Sequence, residues 1–168
     1  MFKKIIFEKE NGIAVIRLNR PEVMNAFDME TQEEMAKAID DVRSDENIKV
    51  LIVTGTGRAF CTGVDITAIR EMDVNQGREF LKKVHRMMLN LVTMEKPVIA
   101  AVNGYALGGG CNIALASDII IASENARFSQ GFVKIGLVSD MGGMYFLPRM
   151  VGLAKAKELM FLGETIDA

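Results

Sequence analysis

The stretch that most restricts how this chain can fold runs from Lys96 to Cys111, KPVIAAVNGYALGGGC. Val98 to Val102 is an apolar run of strand type, and it leads through Asn103-Gly104 to Gly108-Gly109-Gly110 and then to an apolar, alanine-rich segment. Such an order predicts a buried strand delivering a tight turn whose backbone N–H groups open a helix, from about Gly109 to Ala116. Glycines without a Cβ let a ligand press against the main chain, and a helix start presents unpaired N–H donors at the positive end of its dipole. That is a site for negative charge. Small residues at a helix start also permit close packing against a neighbouring element, and the triplet alone does not separate the two readings.

The remaining segments extend this pattern. Ile5 and Phe7 alternate with charged neighbours, Asn11-Gly12 turns the chain, and Ile13 to Leu18 completes a hairpin. Asp28 is the N-cap of a helix whose Met35, Ala38, Ile39 and Val42 recur at i, i+3, i+4 and i+7, the stripe of a core face. Val50 to Thr54 is a short apolar strand, followed by a loop from Gly55 through Ile66. A long helix is expected over 75–95, with Phe80, Val84, Met87, Met88 and Leu91 on one face, and Pro97 stops it. Ser117 to Ala122 reads as another buried strand, Ala126 to Phe128 as a short one, and 136–143 as a loop before helices at 144–150 and 153–161. Strands separated by helices point to an α/β fold with ligand chemistry in the loops after strands. No linker, repeat or low-complexity tract divides the chain, so residues 1–168 are read as one domain.

Composition narrows the function. With 20 Lys+Arg against 22 Asp+Glu the net charge is −2, so no basic footprint points to nucleic acid. No apolar run approaches the roughly 20 residues needed to cross a bilayer, and no signal peptide is evident, so a soluble, cytoplasmic protein is expected. Cys61 and Cys111 are too few for a disulfide framework or a zinc cluster, and no metal site is expected. His85 is the sole histidine and sits between Lys83 and Arg86 on an exposed basic helix turn, a poor setting for a catalytic triad. The G-x-G-x-x-G and GxxxxGK spacings of nicotinamide and ATP sites are missing.

Four ordered segments carry a resemblance: NRPEVMNAF at 19–27, GRAFCTGVDI at 57–66, KPVIAAVNGYALGGGCNIALASDIIIA at 96–122, and IGLVSDMGGMYFLPRMVG at 135–152. Together they resemble the enoyl-CoA hydratase/isomerase, or crotonase, superfamily over nearly the whole chain. The resemblance implies a crotonase-like ββα spiral core and a homo-oligomer, usually a trimer or a dimer of trimers. Its members are longer, and their C-terminal helical region, which helps cover the acyl site, is expected to be absent from this chain. The implied partner is an acyl-CoA thioester, with coenzyme A entering as part of the substrate and no separate cofactor.

Deprotonating or attacking such a thioester throws negative charge onto its carbonyl oxygen, and the resemblance implies two main-chain donors for it, the N–H groups of Val64 and Gly109. Removing one donor of this kind costs about 3 kcal/mol of transition-state stabilisation. The resemblance also implies coenzyme A contacts from Glu22, Val23, Val64, Asp65, Ile66, Thr67 and Gly109, although Glu22 and Val23 read equally well as ordinary loop. Hydratases of this family position water with two glutamates, and those positions are Asn112 and Phe132 here. Neither can act as a general acid or base. Asp140 stands where double-bond isomerases, including those of phenylacetate breakdown, carry an aspartate.

One carboxylate suffices for isomerisation, because it can remove a proton from one carbon and return it two carbons along. Phe132, Met141, Met144 and Phe146 are the expected apolar neighbours that raise its pKa. Asp140 reads alternatively as a cap for the helix that follows. Hydration with relocated acids, another crotonase reaction, and acyl-CoA binding without turnover stand as competing functions.

Overall fold

The computed structural model describes residues 2–168. Asn11 and Gly12 both adopt positive φ, 51° and 82°, the primed-turn geometry that matches strand twist, and they join β1 (Ile5–Glu10) to β2 (Ile13–Leu18). Helix α1 (Met29–Ser44) follows, its first turn closed by the Asp28 carboxylate, which accepts from the backbone N–H and the hydroxyl of Thr31, each at 2.7 Å. Met35, Ala38, Ile39 and Val42 are fully buried, as their spacing predicts. Glu34 on the same helix is buried too, because its carboxylate accepts the N–H groups of Lys3, Lys4 and Ile5 at the entry to β1.

From here strands come in pairs. β3 (Val50–Gly55) is followed by β4 (Ala59–Cys61), β5 (Val98–Val102) by β6 (Tyr105–Leu107), and β7 (Ile119–Ala122) by β8 (Arg127–Ser129). The first of each pair joins a five-stranded sheet of order β1-β2-β3-β5-β7, parallel beyond the hairpin. The second joins a smaller sheet, β4-β6-β8, closed by antiparallel β9 (Thr165–Asp167). Helices α2 (Ile66–Arg70) and α3 (Val74–Val92) connect the first pair to the second, and α4 (Gly109–Leu115) connects the second to the third. This is the expected ββα spiral. Helices α5 (Gly143–Val151) and α6 (Leu153–Leu162) then lead into β9.

Helix α3 spans 74–92 rather than 75–95; Phe80, Val84, Met87, Met88 and Leu91 form its buried face against α1 and the large sheet. Each such side chain contributes about 1.5–3 kcal/mol on burial. The run 117–122 departs from expectation. Only Ile119–Ala122 is strand, and it is the edge of the large sheet, with Ile119 50% and Ile121 59% exposed. An apolar run marks a strand but does not say that both faces are covered. Asp118 has the structural role expected of it, accepting from Val98 N at 2.8 Å to align β7 with β5.

Candidate active site

The turn after β4 and the start of α4 meet. A Cβ on Gly63 would lie 3.0 Å from Gly109 N, and one on Gly110 would lie 2.0 Å from the Cys61 carbonyl, so glycine is what lets α4 press onto β4. Phe27 bridges Val64 in parallel: Phe27 N donates to Gly63 O and Asp65 N to Phe27 O, both at 2.7 Å. That pairing uses the groups flanking Val64 and leaves its own N–H on the other side. Among the described residues, the Val64 N–H makes no hydrogen bond. Gly109, the first residue of α4, has no intrahelical acceptor for its N–H. Both residues line one cavity of about 520 Å³.

Two side chains brace the Val64 turn. Asn25, 1% exposed, donates to the carbonyls of Thr56 and Ala59 at 3.0 and 2.8 Å and accepts from Arg20 N at 2.9 Å. The Arg20 guanidinium donates to Ala26 O at 2.6 Å and pairs with Asp28 and Asp65 at 3.2 and 3.3 Å, so it spans both strands of the Phe27–Val64 bridge. Neither role is visible in the sequence, where Arg20 and Asn25 belong to a Pro-containing loop.

The same cavity is walled by Ile66, Ile69 and Met72 from the α2 region, Phe80 and Leu81 from α3, Leu107, Phe132 and Val138, with Lys134 and Thr165 among its polar groups. Asp140 is the one carboxylate among the described residues lining it. Its Oδ1 is buried and has no hydrogen-bond partner among them. Burial therefore pushes the Asp140 carboxyl above the usual aspartate value, opposed in part by the charge of His85. His85 is exposed, as its neighbours predict, yet it faces Asp140's loop across a cleft shared with Met141, Gly142, Tyr145 and Phe146.

Asp140 does not cap the helix after it. The N-cap of α5 is Gly142, with no side-chain cap bond. Of the expected apolar neighbours, Phe132 and Met141 are buried at this cavity and over Gly109, Phe146 lines the His85 cleft, and Met144 is 61% exposed. Met141 and Gly142 both have positive φ, 46° and 81°, which turns the chain sharply past Asp140.

Asn112 and Phe132 have separate fates. Phe132 packs its ring over Gly108, where an added Cβ would sit 3.6 Å away, and forms apolar wall. Asn112 is fully buried and bonded to Ser139, Asp140 O and Gln130. The structure thus brings Val64, Ile66, Gly109 and Asp140 to one cavity. Glu22 and Val23, exposed in a 3-10 turn, and Asp65 and Thr67 lie outside its lining. Asp65 instead caps α2 through Thr67 N at 3.1 Å. Chemically, the cavity combines two free amide donors with a desolvated carboxylate, suited to holding an oxyanion and moving a proton.

Residues 8–168 match the profile of the family described as Enoyl-CoA hydratase/isomerase. A short-chain-enoyl-CoA hydratase of Clostridium acetobutylicum is 44% identical over 98% of this chain and 63% of its own length. A 1,2-epoxyphenylacetyl-CoA isomerase of Escherichia coli is 37% identical over the whole of this chain and 66% of its own. The crystal structure of an enoyl-CoA hydratase from Bacillus anthracis superposes with a TM-score of 0.94 at 33% identity, over 99% of this chain and 65% of that one. The chain thus spans a little under two thirds of the length of these relatives. With the spiral of strand pairs, the glycine-built turns and these matches in agreement, the chain belongs to the enoyl-CoA hydratase/isomerase family.

Proposed function

We propose that the protein shifts a double bond in an enoyl-CoA, with Asp140 as the base. The observation that carries this reading is the buried, unpartnered Oδ1 of Asp140 in a cavity where Val64 and Gly109 also present free N–H groups. The thioester carbonyl accepts from these two amides, which stabilise the enolate oxygen as charge develops there. Asp140 takes the proton from the carbon on one side of the double bond. Electrons move through the conjugated system onto the thioester oxygen, then return as the same carboxyl delivers its proton two carbons along. No atom is gained or lost. The raised pKa of Asp140 brings its basicity closer to the working pH.

Coenzyme A runs outward along Ile66 and Thr67 toward Glu22 and Val23 in this proposal. Thr62 Oγ1, donating to Met24 O at 3.2 Å, ties that loop to the Val64 turn. Assembly into a homo-oligomer belongs to the same proposal.

Hydration is the second reading, favoured by the name of the Clostridium acetobutylicum relative. It requires a water held between two acid–base groups, and Asn112 and Phe132 supply neither. Incubating the purified protein with a 3-enoyl-CoA and separately with a 2-enoyl-CoA, and separating products by chromatography with mass detection, decides between them. Isomerisation conserves mass and moves the double bond. A product heavier by one water would establish hydration, and inertness to both with retained thioester binding would leave an acyl-CoA-binding protein.

A further inference from the structure

We propose that Gly77 is a specificity-determining residue: its missing side chain leaves the room in which the acyl chain lies beyond the reacting carbons, so the substrate is a thioester of an extended apolar acyl group. The inference rests on the reading of Val64 and Gly109 as the donors to the thioester carbonyl. Gly77 stands in α3, where a glycine weakens the helix relative to alanine. Neither usual reason for a glycine applies to it. Its backbone is ordinary helix, with φ outside the positive range and its N–H bonded to Asp73 O at 2.9 Å. Close packing does not require it either, since an added Cβ would have nothing within 4 Å. Among the described residues, every other glycine has a positive φ or an atom within 3.5 Å of such a Cβ.

The open space belongs to the cavity that holds Val64, Gly109 and Asp140. Gly77 lines it together with Phe80 and Leu81, three and four positions on, which the helical repeat puts on the same face of α3. A Cα–Cβ bond leans toward the helix N-terminus, so a side chain at 77 would lean toward Met72, which lines the cavity just before α3 begins. Coenzyme A leaves along Ile66 and Thr67 in the proposed placement. The room beside Gly77, Ile69 and Met72 is then left to the acyl chain.

The chain also has a stopping point. Met72 and Phe80 line a separate cleft of about 660 Å³ whose lining carries Asp28, Glu30, Glu71 and Glu79 beside Lys83. These two side chains therefore form the wall between an apolar cavity and a charged cleft. An apolar chain crossing it would strip water from carboxylates, so the chain ends at the wall.

The test measures, by calorimetry, binding of two thioesters that have no double bond to move, butanoyl-CoA and octanoyl-CoA, to the wild-type chain, Gly77→Ala and Gly77→Leu. Alanine and leucine are both strong helix formers, so the two variants differ in side-chain size and little in helix stability. Each methylene buried in an apolar site adds about fourfold in affinity, and a leucine side chain displaces several. Gly77→Leu is expected to lose about tenfold or more in affinity for octanoyl-CoA and less than about threefold for butanoyl-CoA, with Gly77→Ala between it and wild type. Ile69→Phe narrows the same room from α2, is expected to give the same pattern, and carries the comparison should Gly77→Leu not fold.

Unchanged octanoyl-CoA binding in Gly77→Leu, or equal losses for the two thioesters, overturns the inference. So does a loss in Gly77→Ala as large as in Gly77→Leu, because a glycine kept for helix flexibility would respond to any side chain alike. Failure of the wild-type chain to bind either thioester overturns the acyl-CoA reading and this inference together. Hydration by the wild-type chain, with the chain-length pattern as expected, overturns the isomerase reading and supports the role of Gly77.

Discussion

One methyl group added at three glycines should give three different results. Gly110→Ala places a Cβ 2.0 Å from the Cys61 carbonyl oxygen, 2.6 Å from its carbon and 2.8 Å from the Cys61 Cβ. Non-bonded carbons rest about 3.5 Å or more from their neighbours, so α4 must retreat from β4 by about 1.5 Å. The closest obstacles are backbone atoms, and no side chain can swing aside to relieve them. Overpacking of this kind costs about 1–3 kcal/mol, and a backbone clash belongs at or above the top of that range. Alanine returns about 1 kcal/mol of helix propensity, leaving a net loss of about 2 kcal/mol or more.

Gly77, inside α3, has nothing within 4 Å of an added Cβ, so Gly77→Ala should stabilise by about 0.5–1 kcal/mol. Gly109→Ala meets the Met141 sulfur at 2.7 Å, the movable end of a side chain, and then only ordinary contact with Gly63 at 3.6 Å. It should cost little stability and more activity, because Met141 adjoins Asp140. Urea unfolding followed by circular dichroism measures all three against wild type. Equal stability of Gly110→Ala and Gly77→Ala would refute the claim that β4 and α4 are in backbone contact through glycine.

Arg20→Met keeps the apolar stem and removes the guanidinium. Breaking a buried pair costs about 3–5 kcal/mol, but Asp28 and Asp65 are about a fifth exposed and keep partners at Thr31 and Thr67, so a loss of about 2 kcal/mol in urea unfolding is expected. Asp28→Ala should cost about 1–2 kcal/mol at neutral pH. Burial raises the Asp28 carboxyl, but the Thr31 bonds, Arg20 and Lys4 outweigh it and hold it below the usual value. Its contribution is therefore present above the ordinary carboxylate range and is lost as pH falls through the lowered folded value; unfolding at pH 7 and pH 3 should show the gap between Asp28→Ala and wild type closing in acid.

Asp140 has the opposite sign. Burial raises its folded value, so the stability it allows is greatest below the ordinary aspartate range and is lost as pH rises through the raised value. Asp140→Asn should equal wild type in acid and exceed it in stability near pH 8. A gap that does not change with pH would contradict the burial of this carboxylate.

Features carried by local pattern are readable in the sequence: the Asn11-Gly12 hairpin, the α1 and α3 stripes, and the strand feeding Gly108 to Gly110; the departure from two glutamates at Asn112 and Phe132 is readable only through the resemblance to the hydratases. Strands β4, β6 and β9 are not, because each has three residues and exists only through partners far along the chain. Side-chain hubs escaped for the same reason. Asn25 joins β4 across 34 residues and Asn112 joins Ser139 across 27, and an amide in a loop or a helix gives no local sign of such a bond. The exposure of β7 is not legible in the sequence, because apolar content reports strand propensity and not which face is covered. His85 looked like solvent-facing charge, which it is, but sequence spacing could not place it opposite the loop of Asp140.

The most direct test of the central claim is deuterium uptake into an enoyl-CoA in heavy water, followed by mass spectrometry for wild type and Asp140→Asn under saturating substrate. The account predicts label at carbons adjoining the double bond with wild type, entering in turnovers where the protonated Asp140 exchanges with heavy water before it returns its proton, and a loss of about 10²–10⁴-fold in the rate of both labelling and double-bond migration in the variant, the range for removing a general base, with thioester binding retained. Label entering Asp140→Asn at the wild-type rate would show that another group moves the proton, and the assignment of Asp140 as base would be wrong.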